Sequence, residues 1–119
     1  VSRQDDLSEC VMGTGFACLR LENACINMTC LNHILPQIRD IRRCGSAAMD
    51  LCYVACGRFD GFWEFNLNPY DISAGAFIAE RAGATVTDMK GSREGLPKQI
   101  LCTNGKVHSD MLKLFGAVL

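Results

Sequence analysis

Short apolar runs and helix-period segments alternate along this 119-residue chain. SECVMGTGF ends in Gly13 and Gly15 and reads as a buried strand breaking into a loop. Residues 22–34, ENACINMTCLNHI, carry a helical pattern stopped before Pro36. IRDIRRC reads as a strand with Ile38 and Ile41 inward and arginines around them. GSAAMDLCYVACG has a small polar start and stops at Gly57, which are helix signals at both ends. RFDGFWEFNL is aromatic and β-like, and alternation along it assigns Phe62 and Trp63 to the core. NPYDISAGAFIAERAGA reads as a buried helix headed by Asp71 and ended by Gly83. TVTDM and KQILCTN are two more β-type runs, separated by the polar loop GSREGLPK at 91–98, and VHSDMLKLFGAVL closes as an amphipathic helix. Five strands interleaved with helices predict one α/β domain: a layered, mostly parallel or mixed five-stranded sheet with helices on both faces.

The length is one domain's worth of chain. Hydrophobic residues make up 49%, rich for a free-standing domain of this size. That fits a doubly covered sheet or a surface that expects a partner. A net charge of −1 supplies no basic field for nucleic acid or an anionic membrane. No apolar run approaches the roughly 20 residues of a membrane span. The first residue is Val, no signal-peptide pattern precedes the fold, and the chain reads as a piece of something longer. The eight cysteines contain no Cys-x-x-Cys pair, and His33 and His108 are far apart, so zinc spacing is absent. Most of the thiols lie in apolar runs and read as reduced, structural core residues of a cytosolic protein.

Two places carry candidate chemistry. Gly45-Ser46-Ala47-Ala48 opens a helix directly after a strand, so its first-turn N–H groups favour an anion and its small side chains let one approach. The plainer account is a tightly packed helix cap. Glu64 ends the aromatic strand and Asp71 follows seven residues later, across a turn containing Pro69. Both carboxylates then face one rim, at the carboxyl edge of the sheet where open α/β folds bind ligands. A carboxylate there suits Mg²⁺, which takes oxygen ligands and keeps water and substrate phosphate as others. The plainer accounts are an N-cap for Asp71 and a solvated strand end for Glu64.

Three blocks carry a family resemblance: IRRCGSAAMDLCYVACGRFDGFWE, then NPYDISAGAFIAERAGATVTD, then ILCTNGKVH. In this order they resemble the carboxyl-terminal half of the inositol monophosphatase family, from Thr14-Gly15-Phe16 to about His108. Tyr70 stands where that family usually has Trp and Ser73 replaces an alanine; both are mild changes, since Tyr keeps an aromatic wall and Ser is small. The resemblance implies the carboxyl-terminal half of an αβαβα sugar-phosphatase-like sandwich. It implies Mg²⁺-dependent hydrolysis of inositol monophosphate by a cytoplasmic, homodimeric parent protein. Carried over by position, Asp71 is a metal ligand close to a substrate hydroxyl. Gly45, Ser46 and Ala47 line the substrate, and Glu64 accepts hydrogen bonds from inositol hydroxyls. Arg42 takes a structural or subunit-contact role.

The family's other metal ligands come from a Gly-Glu segment and an Asp-Pro-Ile-Asp-Gly-Thr motif, and neither occurs in this chain. The isolated chain is therefore expected to lack appreciable phosphatase activity, with the metal-binding amino-terminal half supplied by the parent. Related phosphatases act on fructose bisphosphate or 3′-phosphoadenosine nucleotides; Glu64 favours a polyol, because a carboxylate reads hydroxyls well. The competing account is a non-catalytic assembly or binding module.

Overall fold

A computed structural model describes residues 1–17 and 26–119. The predicted helix start at 22–25 lies outside the described residues, as do Cys18 and Cys25. The strands are β1 (Val11–Thr14), β2 (Asp40–Arg42), β3 (Gly61–Phe65), β4 (Thr85–Thr87) and β5 (Gln99–Thr103). The helices are α1 (Ile26–Ile34), α2 (Ala47–Ala55), α3 (Pro69–Arg81) and α4 (His108–Gly116). All five strands form one sheet in the order β2-β1-β3-β5-β4. β1 pairs in parallel with β2 and β3, while β5 pairs antiparallel with β3 and β4. The sheet is thus mixed.

Alternation along the strands divides the core into two layers. Met12, Trp63, Phe65 and Leu101 face one way and pack with Cys30 and Ile34 of α1 and Met111 and Phe115 of α4. Phe62, Ile100 and Cys102 face the other way, onto Leu51 and Val54 of α2 and Ile72 and Ala79 of α3. A strand covered on both faces needs a continuous apolar run, and every residue of β3 is buried, Glu64 included. β2, at the sheet edge, is shorter than its sequence suggests. Ile38 is buried but precedes the strand, and Ile41 is only half-buried. Arg42 is exposed and pairs with Asp40 at 2.7 Å.

A closed set of buried hydrogen bonds joins β1, β3 and α1. The indole Nε1–H of Trp63 donates to Asn27 Oδ1 at 2.6 Å. The Asn27 amide donates to Thr14 Oγ1 at 2.9 Å and to the Gly15 carbonyl at 2.8 Å. Thr14 Oγ1 in turn donates to the Trp63 carbonyl at 2.8 Å. Loop 88–95 is held in the same manner by Asp88, whose carboxylate accepts from the N–H groups of Lys90, Ser92 and Gly95. Burial pushes the Asp88 carboxyl up, but these donors outweigh it and hold the group below its usual range.

The cysteines divide more evenly than their apolar surroundings suggest. Cys10, Cys30 and Cys102 are buried, and burial raises their thiols to about 12, 11 and 12. Cys44, ahead of α2, and Cys56, at its C-cap, are exposed, and Cys52 within α2 is half-buried. All six described cysteines are free thiols. No helix among the described residues is long and apolar enough to cross a membrane.

The tightest helix contact lies between α2 and α3. A Cβ at Gly75 would stand 2.9 Å from Leu51 Cβ and 3.4 Å from the Ala48 carbonyl oxygen. Gly75→Val is expected to lower stability by about 2 kcal/mol, since two rigid helices must separate to admit it. Urea denaturation checks this; an unchanged midpoint would show that the contact can yield.

Candidate active site

The three parallel strands end on one edge of the sheet, and the segments that follow them build a cavity of about 460 Å³. Gly15, Phe16 and Ala17 follow β1, and Arg43 to Ala48 follow β2. Glu64 and Leu67 come from the end of β3 and Asp71 from the first turn of α3. α1 and α2 lie on opposite faces of the sheet, an arrangement that opens a ligand crevice in α/β sheets. The structure therefore brings together all five residues singled out in the sequence: Gly45, Ser46, Ala47, Glu64 and Asp71.

Each is positioned by local chemistry. Gly45 has φ +83, a backbone state that favours glycine, and it turns the chain into α2. Ser46 is the N-cap of α2, and its Oγ accepts from the Met49 N–H at 3.3 Å. Ala47 and Ala48 occupy the first turn, where N–H groups have no intrahelical acceptor and point out of the helix end. The cap and the anion-favouring terminus are thus the same feature.

Glu64 is 7% exposed, so it is no solvated strand end. Its Oε2 accepts from the Ala17 N–H at 3.2 Å. Gly15 packs so closely on this carboxylate that a Cβ at residue 15 would collide with it. Glycine at 15 is therefore a requirement of the carboxylate.

Asp71 differs from expectation in one respect. The helix begins two residues earlier, at Pro69, and its N-cap is Asn68. Proline at the first helical position sets the start, since it needs no N–H acceptor there. Asp71, in the third position, reaches back: its Oδ2 accepts from the Asn68 N–H at 2.9 Å. Its Oδ1 makes no hydrogen bond to the described residues. Asp71 thus braces the helix start while lining the cavity.

One neighbouring expectation changes. Tyr70 is 80% exposed and forms no wall of the cavity. Ser73 lines a separate shallow groove with Phe77 and Pro97, because it sits on the outer side of α3. Arg42, expected in a structural or subunit-contact role, pairs with Asp40 outside the cavity, and Arg43 lines the cavity.

Asp50, which also lines the cavity, was not identified from the sequence. It lines the cavity from the buried side of α2, is 1% exposed, and its Oδ1 has no hydrogen-bond partner. Burial pushes its carboxyl up from 3.8 to about 6; the charge of Glu64 adds to this, against the pull of Cys44 and Arg43. The signal was present: Asp50 shares the buried stripe of α2 with Leu51 and Val54, where an acid is expensive.

Asp71 fits a divalent cation as one oxygen ligand, the kind Mg²⁺ takes along with water and substrate oxygens. Among the described residues no three His, Cys, Asp or Glu side chains gather as a metal cluster.

The sequence model of the inositol monophosphatase family matches residues 1–118. The chain is 44% identical over 118 residues to the putative Nus factor SuhB of Neisseria meningitidis, covering 98% of this chain and 45% of that protein. It is 38% identical over 118 residues to the inositol-1-monophosphatase of Synechocystis, covering 98% of this chain and 41% of that protein. Among solved structures, the inositol monophosphatase of Anabaena superposes with a TM-score of 0.91 at 35% identity, covering all of this chain and 48% of the other. The chain spans about half the length of these relatives.

The Asp50 carboxyl yields a pH prediction. Its folded value of about 6 lies above the ordinary 3.8, so the folded state holds the proton more tightly than the unfolded chain. Stability should fall as pH rises from about 4 to about 6 and stay lower above that. Relative to Asp50→Asn, the native chain should lose on the order of 2–3 kcal/mol across this window. Urea unfolding of both proteins at pH 4 and pH 8 measures the difference; parallel pH profiles would contradict it.

Proposed function

The chain belongs to the inositol monophosphatase family, and we propose on that premise that it is the carboxyl-terminal half of a Mg²⁺-dependent phosphatase that hydrolyses inositol monophosphate to inositol and phosphate. The observation that carries this reading is the single cavity lined by Gly45, Ser46, Ala47, Glu64 and Asp71. An anion-favouring helix end and an acidic wall for hydroxyls there meet at a sheet edge suited to ligands.

The roles follow from the geometry. Asp71 would hold Mg²⁺ through Oδ1, with Oδ2 fixed by the Asn68 N–H. The ion, when bound, supplies Lewis-acid polarisation of the phosphoryl group and neutralises its charge. The remaining ligands would come from an amino-terminal half carrying the acidic segments absent here. The Ala47 and Ala48 N–H groups are free to donate to phosphoryl oxygens, and Gly45 keeps their approach open. Glu64, held by the Ala17 N–H, would accept from hydroxyls of the polyol and orient the leaving group. A cytoplasmic parent fits the six free thiols of the described residues, and its homodimeric state is carried over from the family resemblance alone.

A second reading has one observation in its favour. Several relatives bear the name Nus factor rather than an enzyme name, which suits an assembly or binding role for the parent. Fructose bisphosphate and 3′-phosphoadenosine nucleotides are alternative substrates within the enzymatic reading. The buried positions of Phe62 and Trp63 argue against the nucleotides, because neither ring is available as a base shelf.

The test is Asp71→Asn in the full-length protein, assayed by phosphate release from inositol 1-phosphate with Mg²⁺. A fall in kcat/KM of at least about 100-fold, equivalent to about 3 kcal/mol, is expected with the fold intact. The 119-residue chain alone should give no turnover. Activity in the variant near that of the native protein, or Mg²⁺-dependent turnover by the 119-residue chain, would overturn the reading.

A further inference from the structure

Asp50 has no part in the hydrolysis proposed above, yet it occupies the cavity wall from the first turn of α2. It is 1% exposed, and its Oδ1 has no hydrogen-bond partner. That oxygen lies 3.1 Å from where a Cβ on Gly13 would be, so glycine near the end of β1 gives it room. An oxygen covered in this way cannot touch a substrate. Any role for Asp50 in the site therefore runs through its neighbours.

Those neighbours come from three elements. Arg43 and Cys44, the two residues ahead of Gly45, favour the charged form of the carboxyl, and Glu64 of β3 opposes it. Asp71, from α3, lines the same cavity. Burial is the largest influence and holds the group at about 6, so it is charged at pH 8 and mostly neutral at pH 5. Arg43 has two further contacts. Its guanidinium stands 5.9 Å from the centre of the Phe16 ring, within cation–π range. Its Nη1 lies 3.2 Å from where a Cβ on Gly45 would be. The guanidinium thus sits by the turn into α2, next to the helix end where Ala47 and Ala48 carry their N–H groups. An anion at that end would meet the guanidinium and the N–H groups together. The buried Asp50 carboxylate competes with it for the same cation.

We propose that Asp50 is a positioning residue that acts through Arg43: its charged carboxylate holds the guanidinium toward α2, and its neutral form releases the guanidinium to an anion at the Gly45–Ala48 turn. The inference rests on the phosphatase reading for the identity of the anion, a phosphoryl group, and on the Asp50–Arg43–Gly45 arrangement for its mechanism. One buried proton then sets how strongly the cavity attracts its substrate.

Inorganic sulfate is the probe, because it stays dianionic between pH 5 and pH 8. Its Kd is measured by calorimetry at both pH values, at one fixed Mg²⁺ concentration. The proteins are full-length native chain, Asp50→Asn, Arg43→Ala and the double variant. At pH 8 Asp50→Asn should bind sulfate at least about fivefold more tightly than the native protein, since a neutral amide does not hold the guanidinium. At pH 5 the two should agree within about twofold, because the native carboxyl is then mostly neutral. In the Arg43→Ala background, Asp50→Asn should change Kd less than about twofold at pH 8. An equal ratio of native to Asp50→Asn at both pH values would overturn the proposal, because a merely structural role gives that result. Retention of the full effect without Arg43 would overturn it too, since the charge would then act on the anion directly. So would a native protein that binds no sulfate at pH 5. If Asp50→Asn does not fold, the native protein and Arg43→Ala decide. Between pH 8 and pH 5 the native affinity should then rise at least about fivefold more than that of Arg43→Ala, and equal rises reject the proposal. Turnover of inositol 1-phosphate is assayed separately. Its absence overturns the phosphatase reading, and the sulfate comparison then judges Asp50 alone.

Discussion

The indole N–H of Trp63 has to be satisfied inside the core, and the cavity geometry depends on how that is done. Trp63 is fully buried beside Glu64 on the central strand, and a buried N–H without an acceptor costs about 1–3 kcal/mol. Asn27 of α1 answers it and spends its own amide on Thr14 and the Gly15 carbonyl. One side chain thereby fixes the end of β1 against the end of β3. Gly15 is held where it presses on Glu64, and Ala17 where it donates to Glu64. Buried polar networks of this sort carry a high penalty when half-satisfied, so the arrangement is specified as one unit. The rim is as rigid as the core that supports it.

Charge at this rim is organised by depth. At the surface, helix ends and Arg43 offer positive character. Glu64 and Asp71 offer fixed acceptors, each with one oxygen committed to a backbone N–H. Below them Asp50 is buried with its Oδ1 unpartnered, a cost that Cys44 and Arg43 offset only in part. Unfavourable local chemistry of this kind concentrates near functional sites, where positioning outweighs stability. His108 shows the opposite treatment away from the cavity: both ring nitrogens contact threonine hydroxyls at 2.8 and 2.9 Å, and burial holds its pKa below the usual value.

Most of the fold was legible because each element has its own punctuation. Gly57 and Gly83 take positive φ where the helices stop, and the unbroken apolar run of β3 declares a strand covered on both faces. The five candidate residues could be assigned to one sheet edge because the blocks that contain them lie at strand ends. Legibility failed where the answer depends on facing rather than on order. Arg42 and Arg43 are adjacent and chemically alike, and only the edge register of β2 decides which one turns to the cavity. Tyr70 needed the helix phase to show that it points to solvent. Asp50 needed the observation that an acid occupies the buried stripe of α2. Asn27 left no local sign at all, since its partners lie 12, 13 and 36 residues away.

The most direct measurement of the account is hydrogen exchange of the Trp63 indole N–H, the only tryptophan in the chain, followed by NMR in deuterated buffer. If the Asn27 bridge holds the rim as a unit, this proton should exchange only through global unfolding, with the same opening free energy as the core amides of β3. Exchange through local opening, at least about 2 kcal/mol below the global value, would contradict it, because the cavity wall would then open independently of the core.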